Sequence, residues 1–134
     1  MWIEEHSTGL ADLARQKIAE FNALHWDASL RQPLGLKKLN AEGELLAVLA
    51  GRTFGNWFYL ESFWLAESER GQGLGSAMLQ RAEQIAVQRG CRFVVVDTLD
   101  FQARPFYERH GYQLQWTQQQ YPFTGAKYFM TKTL

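Results

Sequence analysis

The spacing of apolar residues predicts two long helices. Apolar side chains recur every three or four residues between Leu10 and Leu24, and again between Leu74 and Ala86. This spacing places them on one face of a helix. Gly90 is typical of the residue just beyond a helix C-terminus. We therefore expect an amphipathic helix of roughly four turns near the start of the chain, and a second helix from Leu74 to about Gly90.

The remaining apolar segments predict six strands and one short helix. The strand-like segments are Leu34–Leu39, Leu45–Phe54, Trp57–Leu65, Phe93–Val96, Tyr112–Thr117 and Ala126–Thr133. Short turns separate the first three, so an antiparallel meander is their simplest arrangement. Phe93–Val96 is wholly apolar, which is typical of a strand buried on both faces. Gln102–His110 has the signals of a short helix, with Pro105 near its start and Gly111 after its end.

A β-α-β unit is expected after the meander. The strand Trp57–Leu65, the helix from Leu74 and the strand Phe93–Val96 follow one another in the chain. Such a crossover joins parallel strands. A parallel pair added to an antiparallel meander makes a mixed sheet, so the predicted fold class is α+β.

Composition narrows the class of protein. The chain has 134 residues, 46% of them apolar and 21% charged, which suits a single globular domain. Fourteen basic and fourteen acidic residues balance, which argues against a nucleic-acid partner. The longest purely apolar run, Leu45–Ala50, is too short to span a membrane. The single cysteine, Cys91, and an N-terminus without signal-peptide features favour a cytoplasmic location.

A glycine-rich stretch precedes the second long helix. Gly71, Gly73 and Gly75 occupy every second position just before and at the predicted start of this helix, and Arg70 stands in front of them. The first N–H groups of a helix have no internal acceptor and carry partial positive charge. Without Cβ atoms in the way, a phosphate could approach these donors directly. A flexible turn with no ligand is the alternative interpretation.

Two familiar phosphate-binding motifs fit this stretch poorly. A P-loop requires a lysine before the final serine or threonine, whereas Ser76 directly follows Gly75. The dinucleotide fingerprint requires Gly-x-Gly-x-x-Gly, whereas the spacing here is Gly-x-Gly-x-Gly, although Asp97 lies at roughly the distance of its acidic residue. A nucleotide- or RNA-binding domain is therefore disfavoured.

Two motifs resemble those of the GCN5-related N-acetyltransferases, the GNAT family. Arg70-x-x-Gly73-x-Gly75, between a strand and a long helix, resembles the family's acyl-CoA-binding motif. A second segment, after the buried strand, resembles its Ala-x-x-hydrophobic-Tyr-Glu-x-x-Gly-aromatic signature; it consists of Ala103, Phe106, Tyr107, Glu108, Gly111 and Tyr112. The order of the predicted elements is also similar. The resemblance implies a GNAT-like acyl-CoA N-acyltransferase fold, with residues 1–134 forming one N-acetyltransferase domain.

The resemblance implies an enzyme and assigns its cofactor contacts. A primary amine would attack acetyl-CoA directly in a ternary complex, with no metal ion. Backbone groups of Leu65 and Ala66 would hold the pantetheine arm, and one N–H there would stabilise the carbonyl oxygen. Asp100, where the family usually has asparagine, and Ala103 would also contact the cofactor. The pyrophosphate would bind Arg70, Gly71, Gln72, Gly73, Leu74, Gly75 and Ser76.

Two residues are candidates for proton transfer. Tyr107 matches the family's protonating tyrosine and would act on the leaving thiolate, although packing in the core is the alternative. Glu61 is a carboxylate in an otherwise aromatic and apolar strand, where partial burial would suit a general base. Its alternatives are a solvent-facing position for Glu61, a water chain as base, or the weaker candidates His110 and Asp97.

The acceptor is not defined by the sequence. Some of six aromatic residues are expected to line an apolar or cationic cleft, or to pack in the core or a homodimer: Trp57, Tyr59, Trp64, Trp116, Tyr121 and Phe123. The resemblance implies an amine acceptor, which could be a small molecule or a protein. The alternative function is a non-catalytic acyl-CoA-binding or regulatory module of the same fold.

Overall fold

The computed structural model describes residues 1–134. Its helices and strands are α1 (Thr8–Asn22), β1 (Gln32–Leu39), β2 (Leu45–Phe54), β3 (Trp57–Leu65), α2 (Leu74–Gln88), β4 (Phe93–Leu99), α3 (Arg104–Arg109), β5 (Gln113–Gln119) and β6 (Ala126–Thr133). The three helices and six strands predicted above are confirmed. β4 extends past its apolar run because pairing with β6 continues through Asp97 and Leu99.

The contacts of the chain divide it into two compact units, residues 1–30 and residues 31–134. In the first unit, Ser7 caps α1, since its hydroxyl accepts a hydrogen bond from the Leu10 N–H at 3.2 Å. No residue of α1 is buried. The single domain expected over the whole chain stays a prediction. None of the helices is long and apolar enough to cross a membrane.

The second unit is built on one six-stranded mixed sheet with the order β1-β2-β3-β4-β6-β5. β1, β2 and β3 form an antiparallel meander, and β3 pairs with β4 in parallel. β6 lies between β4 and β5 and is antiparallel to both. The predicted α+β class, the meander and the β-α-β unit are therefore confirmed.

The hydrophobic core lies on the face of the sheet that α2 covers. α2 contacts β1 and β2, and its Leu79 and Ala82 are fully buried with Phe58, Val94 and Met130 of the strands. Alternation along β3 sends Phe58 inward and leaves Tyr59 exposed.

A buried carboxylate joins α2 to the end of the sheet. Glu83 of α2 is 8% exposed and accepts hydrogen bonds from the Tyr112 hydroxyl at 2.7 Å and the Lys132 ammonium at 2.8 Å. Burial, reinforced by the Glu83 charge, raises the pKa of Tyr112, so its phenol keeps the proton that it donates. Both carboxylate oxygens are thereby bonded, and α2 is held against β6 and the residues that follow α3.

Candidate active site

The two central parallel strands separate partway along their length. β3 and β4 pair from Trp57 opposite Phe93 to Leu60 opposite Val96, although β3 continues to Leu65 and β4 to Leu99. A cavity of about 970 Å³ opens at this split. Nine of the predicted site residues line it: Glu61, Leu65, Arg70, Gly71, Gly73, Gly75, Ser76, Ala103 and Tyr107.

The N-terminus of α2 is open at one end of this cavity. Gly71 and Gly73 have φ angles of +75° and +84°, which residues with a Cβ rarely adopt. The first bond within the helix runs from the Ala77 N–H to the Gly73 carbonyl at 3.1 Å, so the N–H groups of the preceding helical residues have no acceptor in the helix. Gly73 offers no side-chain cap, and the first turn contains no acidic residue. The geometry is that of an anion-binding site.

Arg70 and Gln72 are fixed within the loop before α2. The Arg70 Nε donates to the Leu65 carbonyl at 3.3 Å, which holds the guanidinium against the end of β3. The Gln72 amide donates to the Ser68 carbonyl at 2.8 Å. Arg70 borders the cavity, whereas Gln72 and Leu74 are not among the residues that line it.

At the end of β3, only some of the backbone groups expected to bind pantetheine are without a partner in the sheet. The Ala66 N–H already donates to the Leu46 carbonyl at 2.8 Å, so the expectation that it serves the cofactor needs correction. Leu65 lies opposite Ala47 and next to this bonded position. Backbone groups of an antiparallel strand alternate in direction, so the N–H of Leu65 and of Phe63 point to the split. Phe63, which also lines the cavity, was missed by sequence reasoning.

Tyr107 of α3 combines burial with access to the cavity. It is only 5% exposed, and its ring packs edge-on against Phe106 and Tyr112 at 5.3 and 5.4 Å. Burial, and to a smaller degree the negative charge of Asp97, raises the pKa of Tyr107 to about 12. The phenol therefore stays protonated near neutral pH and can donate a hydrogen bond into the cavity.

Side chains other than that of Asp100 form the hydrogen bonds of the turn between β4 and α3. The Thr98 hydroxyl accepts from the Ala103 N–H at 3.2 Å, and the Gln102 side chain accepts from the Leu99 N–H at 2.8 Å. Asp100 is absent from the cavity lining and lies beside Gly125 instead. The structure therefore does not bring Asp100 to the other predicted cofactor residues.

Glu61 lies at an irregularity of β3. Ala50 of β2 is opposite Ser62 and Gly51 is opposite Leu60, so Glu61 is an extra, bulged residue. Its carboxylate accepts a hydrogen bond from the Arg52 guanidinium, and 48% of its side chain is exposed. We expected the Glu61 carboxylate to lie in partly buried, apolar surroundings. It instead forms a half-exposed ion pair with Arg52 at the rim of the cavity.

A second carboxylate faces the split from β4. Asp97 lines the cavity, and its Oδ1 lies 3.8 Å from the Lys127 ammonium. That ammonium also lies over the rings of Tyr121 and Phe129, at 5.2 and 5.7 Å. Lys127 was missed by sequence reasoning because β6 reaches the split only through its pairing with β4.

The predicted aromatic set divides by location. Trp64 and Tyr121 line the cavity. Trp57 packs on Phe93, and Trp116 on Phe129. Phe123 is exposed, and Tyr59 holds the Arg52 guanidinium over its ring at 4.7 Å. An acceptor in this cavity would therefore meet two of the six rings.

The chain is similar to known acetyltransferases along almost its whole length. Residues 4–112 match the model of the acetyltransferase (GNAT) family. A blasticidin-S acetyltransferase of Streptomyces morookaense is 33% identical over 132 residues, which cover 98% of this chain and 92% of that protein.

Solved structures share the fold. A crystal structure of an acetyltransferase from Bacillus cereus has a TM-score of 0.89 at 26% identity and covers 100% of this chain and 98% of the other. An aminoglycoside 6'-N-acetyltransferase solved with coenzyme A has a TM-score of 0.68 at 16% identity, with 99% and 97% covered. The GNAT-like fold expected from the two motifs is confirmed.

We expect Gly51→Ala to disturb the strand that carries Glu61. A Cβ at Gly51 would lie 2.1 Å from the Tyr59 carbonyl oxygen and 2.9 Å from the Phe58 ring, so β3 would have to move. The expected cost is about 2 kcal/mol or more in the free energy of unfolding, measured by urea denaturation. Gly35→Ala in β1 is the matched control, because its Cβ would meet only the Leu49 carbonyl at 3.5 Å. Equal stability of the two variants would contradict this account of the bulge.

Proposed function

Because this chain belongs to the acetyltransferase (GNAT) family and is an N-acetyltransferase by that membership, we propose that it moves an acetyl group from acetyl-CoA to a primary amine by direct attack in a ternary complex. The observation that carries the proposal is the continuous cavity between β3 and β4. It joins an open helix N-terminus, which suits an anion, to a buried protonated phenol and two carboxylates. The cytoplasmic location and the homodimer expected from the sequence stay predictions.

The loop from Arg70 to Ser76 is the proposed pyrophosphate site. The unpaired N–H groups at the start of α2 supply donors, and Arg70 supplies a formal positive charge beside them. The aminoglycoside 6'-N-acetyltransferase, which has a similar fold, was crystallised with coenzyme A, and this supports an acyl-CoA as the donor. The pantetheine arm would then lie along the exposed edge of β3, where Leu65 and Phe63 direct N–H groups to the split.

Those N–H groups and Tyr107 would act on the thioester. A backbone N–H directed at the carbonyl oxygen would stabilise the negative charge that forms during attack. Tyr107, with its pKa raised to about 12, is a weaker acid than a thiol of pKa about 8.5. Complete proton transfer to the thiolate would therefore cost about 5 kcal/mol. Tyr107 acts mainly by hydrogen bonding to the leaving sulfur.

The acceptor amine would approach the rim that carries Glu61 and Asp97. Both carboxylates line the cavity, and Trp64 and Tyr121 add ring faces that attract an ammonium group. Glu61 is the proposed base. The incoming ammonium group would displace the Arg52 guanidinium from the Glu61 carboxylate, which would then accept a proton from the amine. Blasticidin S is the first acceptor to test, because the relative that aligns over 98% of this chain is a blasticidin-S acetyltransferase.

The cofactor site predicts a loss of acetyl-CoA binding in Gly73→Glu. The added carboxylate would lie where the phosphate is expected, so we expect affinity to fall at least about 30-fold by calorimetry, equal to about 2 kcal/mol. Gly43→Glu is the matched control, because Gly43 has nearly the same φ, +82°, and equally open space in a hairpin turn. Equal affinities of the two variants would contradict the pyrophosphate site.

The acyl-transfer step predicts turnover of blasticidin S that depends on Tyr107. Loss of the hydrogen bond to the developing thiolate in Tyr107→Phe is expected to lower kcat by about 10²–10³, whereas Tyr128→Phe, outside the cavity, keeps wild-type kcat. The required form of Tyr107 is the protonated one, which is present below its pKa of about 12. The wild-type rate should therefore show no fall from loss of this proton between about pH 6 and pH 10.

Three results would count against the proposal. Unchanged kcat in Tyr107→Phe would remove the role of the phenol. No turnover of blasticidin S, with other amines acetylated, would overturn the proposed acceptor. Tight acetyl-CoA binding without acetylation of any amine would instead favour a non-catalytic acyl-CoA-binding module.

The base proposal predicts a pH-dependent loss of activity in Glu61→Gln. We expect kcat/KM to fall by about 10²-fold near pH 7, and the loss to shrink at higher pH as the free amine becomes abundant. Glu42→Gln, in the exposed turn between β1 and β2, is the control. A loss in Asp97→Asn with wild-type activity in Glu61→Gln would contradict the assignment and transfer it to Asp97.

A further inference from the structure

A histidine outside the predicted cofactor residues contacts the proposed phosphate site. The His110 Nε2 lies 2.9 Å from the Ser76 Oγ, between side chains 34 positions apart in the chain. Ser76 is the third residue of α2 and lines the cavity. His110 follows α3, is half-buried, and packs its ring against Phe106 at 4.8 Å. The contact therefore links an ionisable group to the open helix N-terminus.

The hydroxyl of Ser76 has only one proton to donate. If it donates to a His110 Nε2 that carries no proton, none is left for an anion at the helix terminus. If Nε2 carries a proton, as in the imidazolium or the neutral Nε2–H tautomer, Nε2 donates to Oγ and the serine proton is available to the anion. Of these two forms, only the imidazolium also places a full positive charge one hydrogen bond away from the anion. Anion binding at Ser76 and protonation of His110 therefore favour each other.

The charged groups around His110 do not cancel the attraction between a protonated His110 and a bound anion. On α3 and after it, Arg109 borders the cavity, while Arg104 and Glu108 pair with each other at 3.0 Å. On α2 and β6, Glu83 and Lys132 neutralise one another, and Arg81 is exposed. Arg70 borders the cavity from the loop before α2. Lys127 and Asp97, which also line the cavity, lie 3.8 Å apart as an ion pair. Arg70 and Arg109 are thus the cavity cations without a carboxylate partner, and a bound pyrophosphate would offset their repulsion of an imidazolium.

We propose that His110 takes up a proton when the pyrophosphate of acetyl-CoA binds, with Ser76 as the link between the imidazole and the phosphate. The inference rests on the proposed function of this cavity, since it requires an anionic cofactor at the start of α2. His110 is in this account a positioning residue that acts through Ser76. Because binding takes up a proton, the affinity for acetyl-CoA is expected to rise as the pH falls.

Calorimetric titration of acetyl-CoA in two buffers of different ionisation enthalpy measures this uptake directly. At pH 7.0 the wild type is expected to take up more protons per acetyl-CoA bound than His110→Gln, which keeps an N–H donor near Ser76 but cannot gain a proton. Any proton exchanged by the phosphates of acetyl-CoA is common to both proteins and cancels. His6→Gln is the matched control, because His6 is exposed in residues 1–30, and it should keep the wild-type uptake.

The outcomes separate this inference from the proposed function. Equal proton uptake by the wild type and His110→Gln, with tight binding in both, would overturn the role of His110 and leave the acetyl-CoA site intact. Loss of the uptake in His6→Gln as well would also overturn it. A wild type that does not bind acetyl-CoA would overturn the proposed function itself.

Discussion

The parallel pairing of β3 with β4, and its early end, control the rest of the site. The two strands are bonded only as far as Leu60 and Val96. Beyond these residues β3 stays paired with β2, and β4 with β6, so each strand is held by its outer neighbour while the inner edges diverge. Inner backbone groups there need partners that the sheet no longer supplies. The cavity is thus a consequence of sheet topology, and a ligand with amide groups suits its edges.

The chemistry differs between the two ends of this cavity. At one end, α2 begins without a side-chain cap or an acidic first turn, and the loop before it adds Arg70, so the local field favours an anion. At the split, Tyr107 keeps its proton because burial disfavours the phenolate. At the rim, Glu61 and Asp97 each bind a cation of the chain. An anionic donor and a cationic acceptor would therefore enter from opposite sides and meet at the phenol.

The apolar pattern was sufficient to predict the helices and strands, and the glycine spacing was sufficient to predict the open helix start. These features depend on residues close together in sequence. The partners that modify the site could not be predicted, because they come from distant segments. Arg52 meets Glu61 only through β2–β3 pairing, and Ser76 meets His110 only after α2 packs beside α3. Asp100 likewise lies beside Gly125 and outside the cavity lining, a placement that depends on the loop before β6, far along the chain.

The proposed function requires the split between β3 and β4 to hold the acyl donor, with its phosphates at the start of α2. A crystal structure of the protein with coenzyme A would show whether it does. We expect pyrophosphate oxygens within hydrogen-bond distance of the N–H groups near Gly73 and Ser76, and the thiol between Leu65 and Tyr107. Coenzyme A bound at another surface, with the split empty, would overturn the proposed site.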